Sequence, residues 1–402
     1  MAVTIVQNLG LDDAATSEQT STVCEPTAAA NKKQLMVTGN WFASTSTDGG
    51  ANWALLDPFT RFPAAAGGFC CDQVVLYNPR HRIWVWLLQY IAPPGGSNIF
   101  RLAVCKDTAF GNWYYWDVAP KNLNSAWTTM WFDYPDMAFT NDNLFVTFNA
   151  FIGNAWQRAA VFRFPLAVLA AGGALSYRSW TTTKNGSIRL CRGPGATMYM
   201  GSHNTLSQLR LFQWPDSAPN IAWTDVNVRP WTAGSYSAPG PGGVNWLGRT
   251  DQRITGAWLG AGTVGFMWSA NKDGTHPQPY VRVVRINEAT KALIDEPDLW
   301  SNTSAWAYPA AAANSAGAVG FAAFYGGGGN HIRHVVGAKT ATGWDSKVTK
   351  TCTHGPATPA WGDYLSCTAH HDQGSHWVAS GYTLQGGNSR KHVQPQYVQF
   401  RT

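Results

Sequence analysis

Seven times along the chain, about every 45 to 60 residues, the same unit recurs. A short run of small or polar residues leads into a tight turn. A strongly apolar run follows and ends in aromatic or polar residues. A third run, a Gly/Asp turn and a Trp-containing fourth run complete the unit. Such short apolar runs, broken by Gly, Pro, Asn and Asp, are the mark of an all-β chain. Seven of them predict a seven-bladed β-propeller of four-stranded antiparallel blades, because radial closure leaves only short strand edges.

The units open at Glu25-Pro26, Asp72-Gln73, Asp133-Tyr134-Pro135-Asp136, Ile188 to Arg192, Asp251-Gln252, Tyr308-Pro309 and Trp361-Gly362-Asp363. They divide residues 1–402, read as one domain, into blades at approximately 22–63, 68–120, 130–182, 186–230, 245–300, 305–350 and 358–402. Residues 1–10 are expected to add a strand to the last blade, beside Gln396 to Phe400. The alternative is a count of six or eight.

The segment Ser46-Thr47-Asp48-Gly49-Gly50-Ala51-Asn52-Trp53 fits the Asp-box pattern S-x-D-x-G-x-x-W, with weaker echoes at Asp107 to Trp113 and Asp216 to Trp223. In this turn Asp48 is expected to accept backbone N–H bonds, Gly50 to supply positive φ and Trp53 to pack. On these residues the chain resembles the Asp-box, sialidase-like propellers. The resemblance implies the fold, and a turn on the face opposite the substrate. It does not extend to sialidase motifs, since Phe162-Arg163-Phe164-Pro165 falls on a third strand and Arg61-Phe62-Pro63 is also misplaced.

In that superfamily the substrate face is walled by the starts of the innermost strands and the ends of the second strands. The corresponding residues here are Glu25, Asp72, Tyr134 with Asp133 and Asp136, Arg192, Arg249 with Asp251 and Arg253, Tyr308, and Asp363 with Trp361, together with Trp41, Tyr90, His203, Trp268, Tyr325 and Tyr382. Rings can stack on sugar faces while carboxylates and amides bond hydroxyls. The same rings can equally be packing between blades.

Three chemistries fit. Hydrolysis of a glycosidic bond needs two carboxylates, for which Glu25, Asp72 and Asp363 are the candidates. Elimination on an acidic polysaccharide would use a His or Tyr base with Arg against a uronate; His203 is the candidate base, with Arg192 and Tyr199 on the same unit. A lectin would only bind. The seven openings differ from one another, which favours one asymmetric catalytic site over repeated pockets. The carboxylates could instead ring a structural calcium on the axis; no other cofactor or metal motif stands out.

The formal net charge of +6 is spread without a basic run, so a carbohydrate partner is expected and nucleic acid is not. No apolar stretch reaches the length of a membrane span. Met1 to Gln7 shows no signal peptide, yet a glycan-active protein of this kind is expected outside the cell, as a monomer. Among seven cysteines, Cys70-Cys71 is either a vicinal disulfide or two thiols, and Cys352 could pair with Cys367.

Overall fold

The computed structural model describes residues 2–11, 16 and 19–402. Seven four-stranded antiparallel sheets follow one another along the chain. Their innermost strands are Thr27–Asn31, Phe69–Asn78, Trp131–Phe139, Arg189–Leu190, Ile254–Gly260, Ala305–Ala313 and Ser366–Ala369. In the first six sheets the remaining strands run outward in chain order. In the seventh, the outermost place is taken by Thr4–Gly10, which pairs antiparallel with Val393–Arg401. Chain start and chain end thus share one sheet, and the ring of blades is closed by hydrogen bonds.

The composition of the inner strands follows from this geometry. Strands that converge on an axis have little room between them. Ala28, Ala29 and Ala30 of blade 1 and Ala310 to Ala313 of blade 6 are all buried there. Farther out the space widens and large rings fill it. Trp377 of blade 7 lies over Gly320 of blade 6, where a Cβ would meet the indole at 2.6 Å, and its Nε1 donates to the Ala312 carbonyl at 3.1 Å. Gly320 is therefore what lets that blade-to-blade contact close.

In an antiparallel blade the turns between strands one and two and between strands three and four lie on one face, here called the back. The other connections lie on the front. The longest connection, 228–253 between blades 4 and 5, lies on the front.

The turn after the third strand of blade 1 is built on the expected residues. Asp48 Oδ1 accepts from Asn52 N at 2.9 Å, Ser46 Oγ accepts from Gly50 N at 2.9 Å, and Gly50 has φ 89°. Blade 2 repeats it, with Asp107 accepting from Ala109 N and Gly111 N. The third echo differs. Asp216 accepts from Thr140 Oγ1 and Asn143 Nδ2, so it ties blade 4 to blade 3 instead of closing its own turn.

Cys70 and Cys71 form a vicinal disulfide. The pairing of Cys352 with Cys367 is corrected: both are buried free thiols.

Candidate functional site

Front-face chemistry begins in the backbone. Glu25 (φ 49°), Tyr134 (φ 56°) and Tyr308 (φ 55°) are left-handed, although none is glycine. Each is followed by a proline, which fixes its own φ and disfavours the helical region before it. In blades 3 and 6 this pair sits in a bulge, between Asp133 and Asp136 and between Ala307 and Ala310. Non-glycine residues held at positive φ cost of order 1–3 kcal/mol each and cluster where a side chain has to be aimed.

What these backbones present is a cluster of carboxyl groups. Glu25 is buried at 5% exposure. Its Oε2 accepts from Asn40 Nδ2 at 2.8 Å, and its Oε1 accepts from the backbone N–H of Asp363 at 2.8 Å. Asp72 of blade 2 is half-buried, with Glu25 as its nearest carboxyl neighbour in the electrostatics of the cluster. Burial first, then the Asp363 charge, pushes the Glu25 carboxyl up to about 8. Burial, then the charges of Glu25, Asp133 and Asp363, also pushes Asp72 well above the carboxylate range. Two carboxyls this close cannot both ionise cheaply, so burial and their mutual charge favour the protonated form of the pair.

The counter-charge is Arg253, from the long connection 228–253. Its Nε pairs with Asp251 at 2.6 Å and its Nη2 with Asp363 at 2.9 Å. Its guanidinium lies 4.1 Å from the Tyr134 ring centroid. The hydroxyls of Tyr134 and Tyr364 are buried with no hydrogen-bond partner among the described residues, and the two rings stand 6.2 Å apart. Arg253 stands where the sequence puts it, with Asp251 among the inner-strand starts. Sequence reasoning missed Tyr364 as a member of the site; it was legible only as the residue after Asp363.

Several expected ligand contacts lie elsewhere. Arg192 and Asp136 form a buried ion pair at 2.6 Å, joined by Arg189 at 3.3 Å. The trio fastens blade 4 to blade 3, and of its members Arg192 also lines the back cavity. Trp268, Trp361 and Tyr382 are each at most 1% exposed, and Tyr90 is buried against Arg101. Trp361 and Tyr382 stack on each other at 4.7 Å. Rings packed on both faces cannot receive a sugar, so for these four the correction is from ligand contact to blade packing. Trp41 and Tyr325 stay half-buried. Arg249 is exposed.

His203 sits in the seam of blades 4 and 5, with its ring 4.9 Å from Trp231 and 4.7 Å from Trp268. Its Nε2 donates to the Gln252 carbonyl at 2.8 Å, and burial depresses its pKa to about 4. The ring is neutral and engaged, which suits a packing residue better than a base. No group of three or more His, Cys, Asp or Glu side chains among the described residues is arranged to hold a metal ion.

A cavity of about 320 Å³ also opens on the axis, but at the back. Its rim is made of inner-strand turns such as Asn78-Pro79-Arg80 and Gly193-Pro194-Gly195, with His370 and Asn314. Its lining holds no carboxyl pair. The chemistry therefore points to the front.

No family model matches the chain, and no curated protein matches it. Among solved structures it is similar to an α-L-arabinofuranosidase of Fusarium graminearum solved with arabinobiose, at 10% identity and TM-score 0.49, over 98% of this chain and 97% of that one. It is also similar to an α-L-arabinanase of Penicillium chrysogenum, at 11% identity and TM-score 0.46, over 98% of each chain. A third is the SapL1 lectin, at 12% identity and TM-score 0.42, over 83% of this chain and 97% of that one. At such identities and scores these likenesses carry no activity across.

Proposed function

We propose that the front end of the axis is the active site of a glycoside hydrolase of the Asp-box propeller kind, working by carboxyl acid/base chemistry. The observation that carries this reading is the front cluster of Glu25, Asp72 and Asp363, in which burial and like charge raise the Glu25 and Asp72 carboxyls. A general acid must hold a proton at working pH, and a carboxyl group does so only when its pKa is raised. Asp72, the more open member, donates that proton to the leaving glycosidic oxygen, and Glu25 takes up the charge change behind it. Asp363, oriented by Arg253, is the second carboxylate. It accepts a proton from the attacking water or faces the positive charge that grows on the sugar.

The unpartnered hydroxyls of Tyr134 and Tyr364 support a polar, hydroxyl-rich substrate. Buried polar groups nearly always find partners, and a sugar supplies both donors and acceptors. The protein is expected to act outside the cell as a monomer.

The test is incubation of the protein with a panel of neutral and uronate-containing oligo- and polysaccharides, with products read by mass. Products that gain one water support the reading. Unsaturated products would replace it with elimination. Retention on immobilised glycan without any product would replace it with a lectin.

A further inference from the structure

Blade 2 presents its carboxyl group differently from its neighbours. In blades 1, 3 and 6 the front start of the inner strand is set by a left-handed residue followed by proline: Glu25-Pro26, Tyr134-Pro135 and Tyr308-Pro309. Blade 2 has neither a left-handed residue nor a proline at that level. Its inner strand leaves register after Phe69, which faces Tyr90, and regains it only at Gln73, which faces Leu88. Three residues, Cys70, Cys71 and Asp72, stand opposite Gln89 alone. The bulges of blades 3 and 6 place two residues opposite one. The longest bulge at this level therefore carries the proposed acid and lacks the proline that fixes the others.

It has instead the Cys70–Cys71 bond. A disulfide between adjacent residues closes a small ring through the peptide that joins them, and that ring restricts the backbone as a proline ring does. The restricted segment ends one residue before Asp72. Asp72 in turn must meet Glu25, a residue of another blade fixed from its own side by Asn40 and the Asp363 N–H. Apart from this contact with Glu25, no hydrogen bond fixing the Asp72 carboxyl is found within its own blade.

We infer that the Cys70–Cys71 disulfide is the positioning element for Asp72, holding the blade 2 bulge so that the Asp72 carboxyl stays in contact with Glu25. This deepens the hydrolase reading and rests on it for its catalytic consequence, but not for its structural one. Both cysteines are half-buried on the front rim, so a small dithiol can reach them. Reduction with dithiothreitol passes two electrons and two protons to the sulfurs. It gives the Cys70 and Cys71 thiols and the cyclic oxidised form of the reagent. The other five cysteines are buried free thiols and do not take part.

The experiment compares the oxidised protein, the reduced protein, the reoxidised protein and the Cys70→Ser/Cys71→Ser variant, each checked for folding by circular dichroism. Carboxyl infrared difference spectra follow the proton of the Asp72–Glu25 pair against pH, with Asp72→Asn identifying its signal. In the reduced and double-serine proteins the pair should give up its proton about one unit lower, because one carboxyl no longer faces the other. Reoxidation should restore the original value. If a substrate has been found, kcat should fall about tenfold or more with KM little changed, the signature of a misplaced acid. An unchanged titration in folded, reduced protein overturns the inference. So does unfolding on reduction, which would make the bond a stabilising link only. If no glycan is turned over, the hydrolase reading fails while the titration still decides this one.

Discussion

The two ends of one axis carry opposite designs. At the back, short turns surround an open cavity of about 320 Å³ whose charges are matched, as in the exposed Arg80–Asp142 pair at 2.6 Å. Between the ends, the Arg189–Asp136–Arg192 trio is buried and joins two blades. At the front, carboxyls of like sign come together, with strained backbones beneath them and unpartnered hydroxyls beside them. At the back, burial depresses the His370 and His371 imidazoles to about 4, which leaves them neutral. At the front, burial and like charge raise carboxyl groups instead. Raised carboxyls side by side are the pattern acid/base chemistry needs, and volume alone is not.

The largest expected effect breaks this comparison if it fails. Asp72→Asn and Glu25→Gln should each lower turnover of any cleaved glycan by about 10²- to 10⁴-fold, the range for loss of a general acid. Arg80→Ala, at the rim of the larger cavity, should leave the rate within about twofold, since a surface change away from the chemistry does little. Initial rates at saturating substrate decide it. Equal losses at both ends would remove the distinction between them.

The axial ion pair should act on stability alone. Asp136→Asn leaves Arg189 and Arg192 buried without their carboxylate. Breaking a buried pair from one side costs about 3–5 kcal/mol. Denaturant unfolding should register that loss, while the fraction still folded keeps its rate per molecule. A variant as stable as the parent would mean that the two guanidiniums have other anionic partners.

Blade count and strand order were legible because both follow from apolar periodicity and turn residues, which are local. The Asp48 turn was legible for the same reason. The carboxyl cluster was half legible. Glu25, Asp72 and Asp363 stand at corresponding positions of three units, and closing the ring makes those units neighbours. The unit pattern gave no depth along the axis, so Asp136 and Arg192 looked equivalent to Asp133 although they lie below the site. Nor did it separate rings that face solvent from rings such as Trp268 that face the next blade, because both occupy second-strand ends. Arg253 was legible at the opening of the fifth unit, but its pairing with Asp363 across the axis was not, because no period describes a contact between units.

The front can also be sharpened through pH. Glu25 is raised from its ordinary value near 4.5 to about 8 in the folded protein. Between those values the folded state binds the proton that the unfolded state has lost, so stability falls as pH rises. Below about 4.5 the contribution is level, and above about 8 the loss is complete. Glu25→Gln cannot ionise and should remove much of this decline. Thermal unfolding followed from pH 4 to pH 9 should therefore show the variant gaining on the parent as pH rises. Parallel curves would place the raised carboxyl elsewhere in the cluster.

The smallest effect concerns the back alone. Ser46 Oγ accepts from Gly50 N at 2.9 Å and lies 2.8 Å from Asp48 Oδ1, inside a turn far from any carboxyl pair. Ser46→Ala removes these bonds at a buried position, and a lost hydrogen bond of this kind costs about 1 kcal/mol. The back turn sets the register of the third and fourth strands of blade 1. The Glu25 side chain is set by the first strand and by Asn40, on the other side of the same sheet. A small drop in unfolding free energy with an unchanged pH–rate profile is the expected result. A shifted profile would mean that strain passes through blade 1 from back to front, and the two ends would then be coupled.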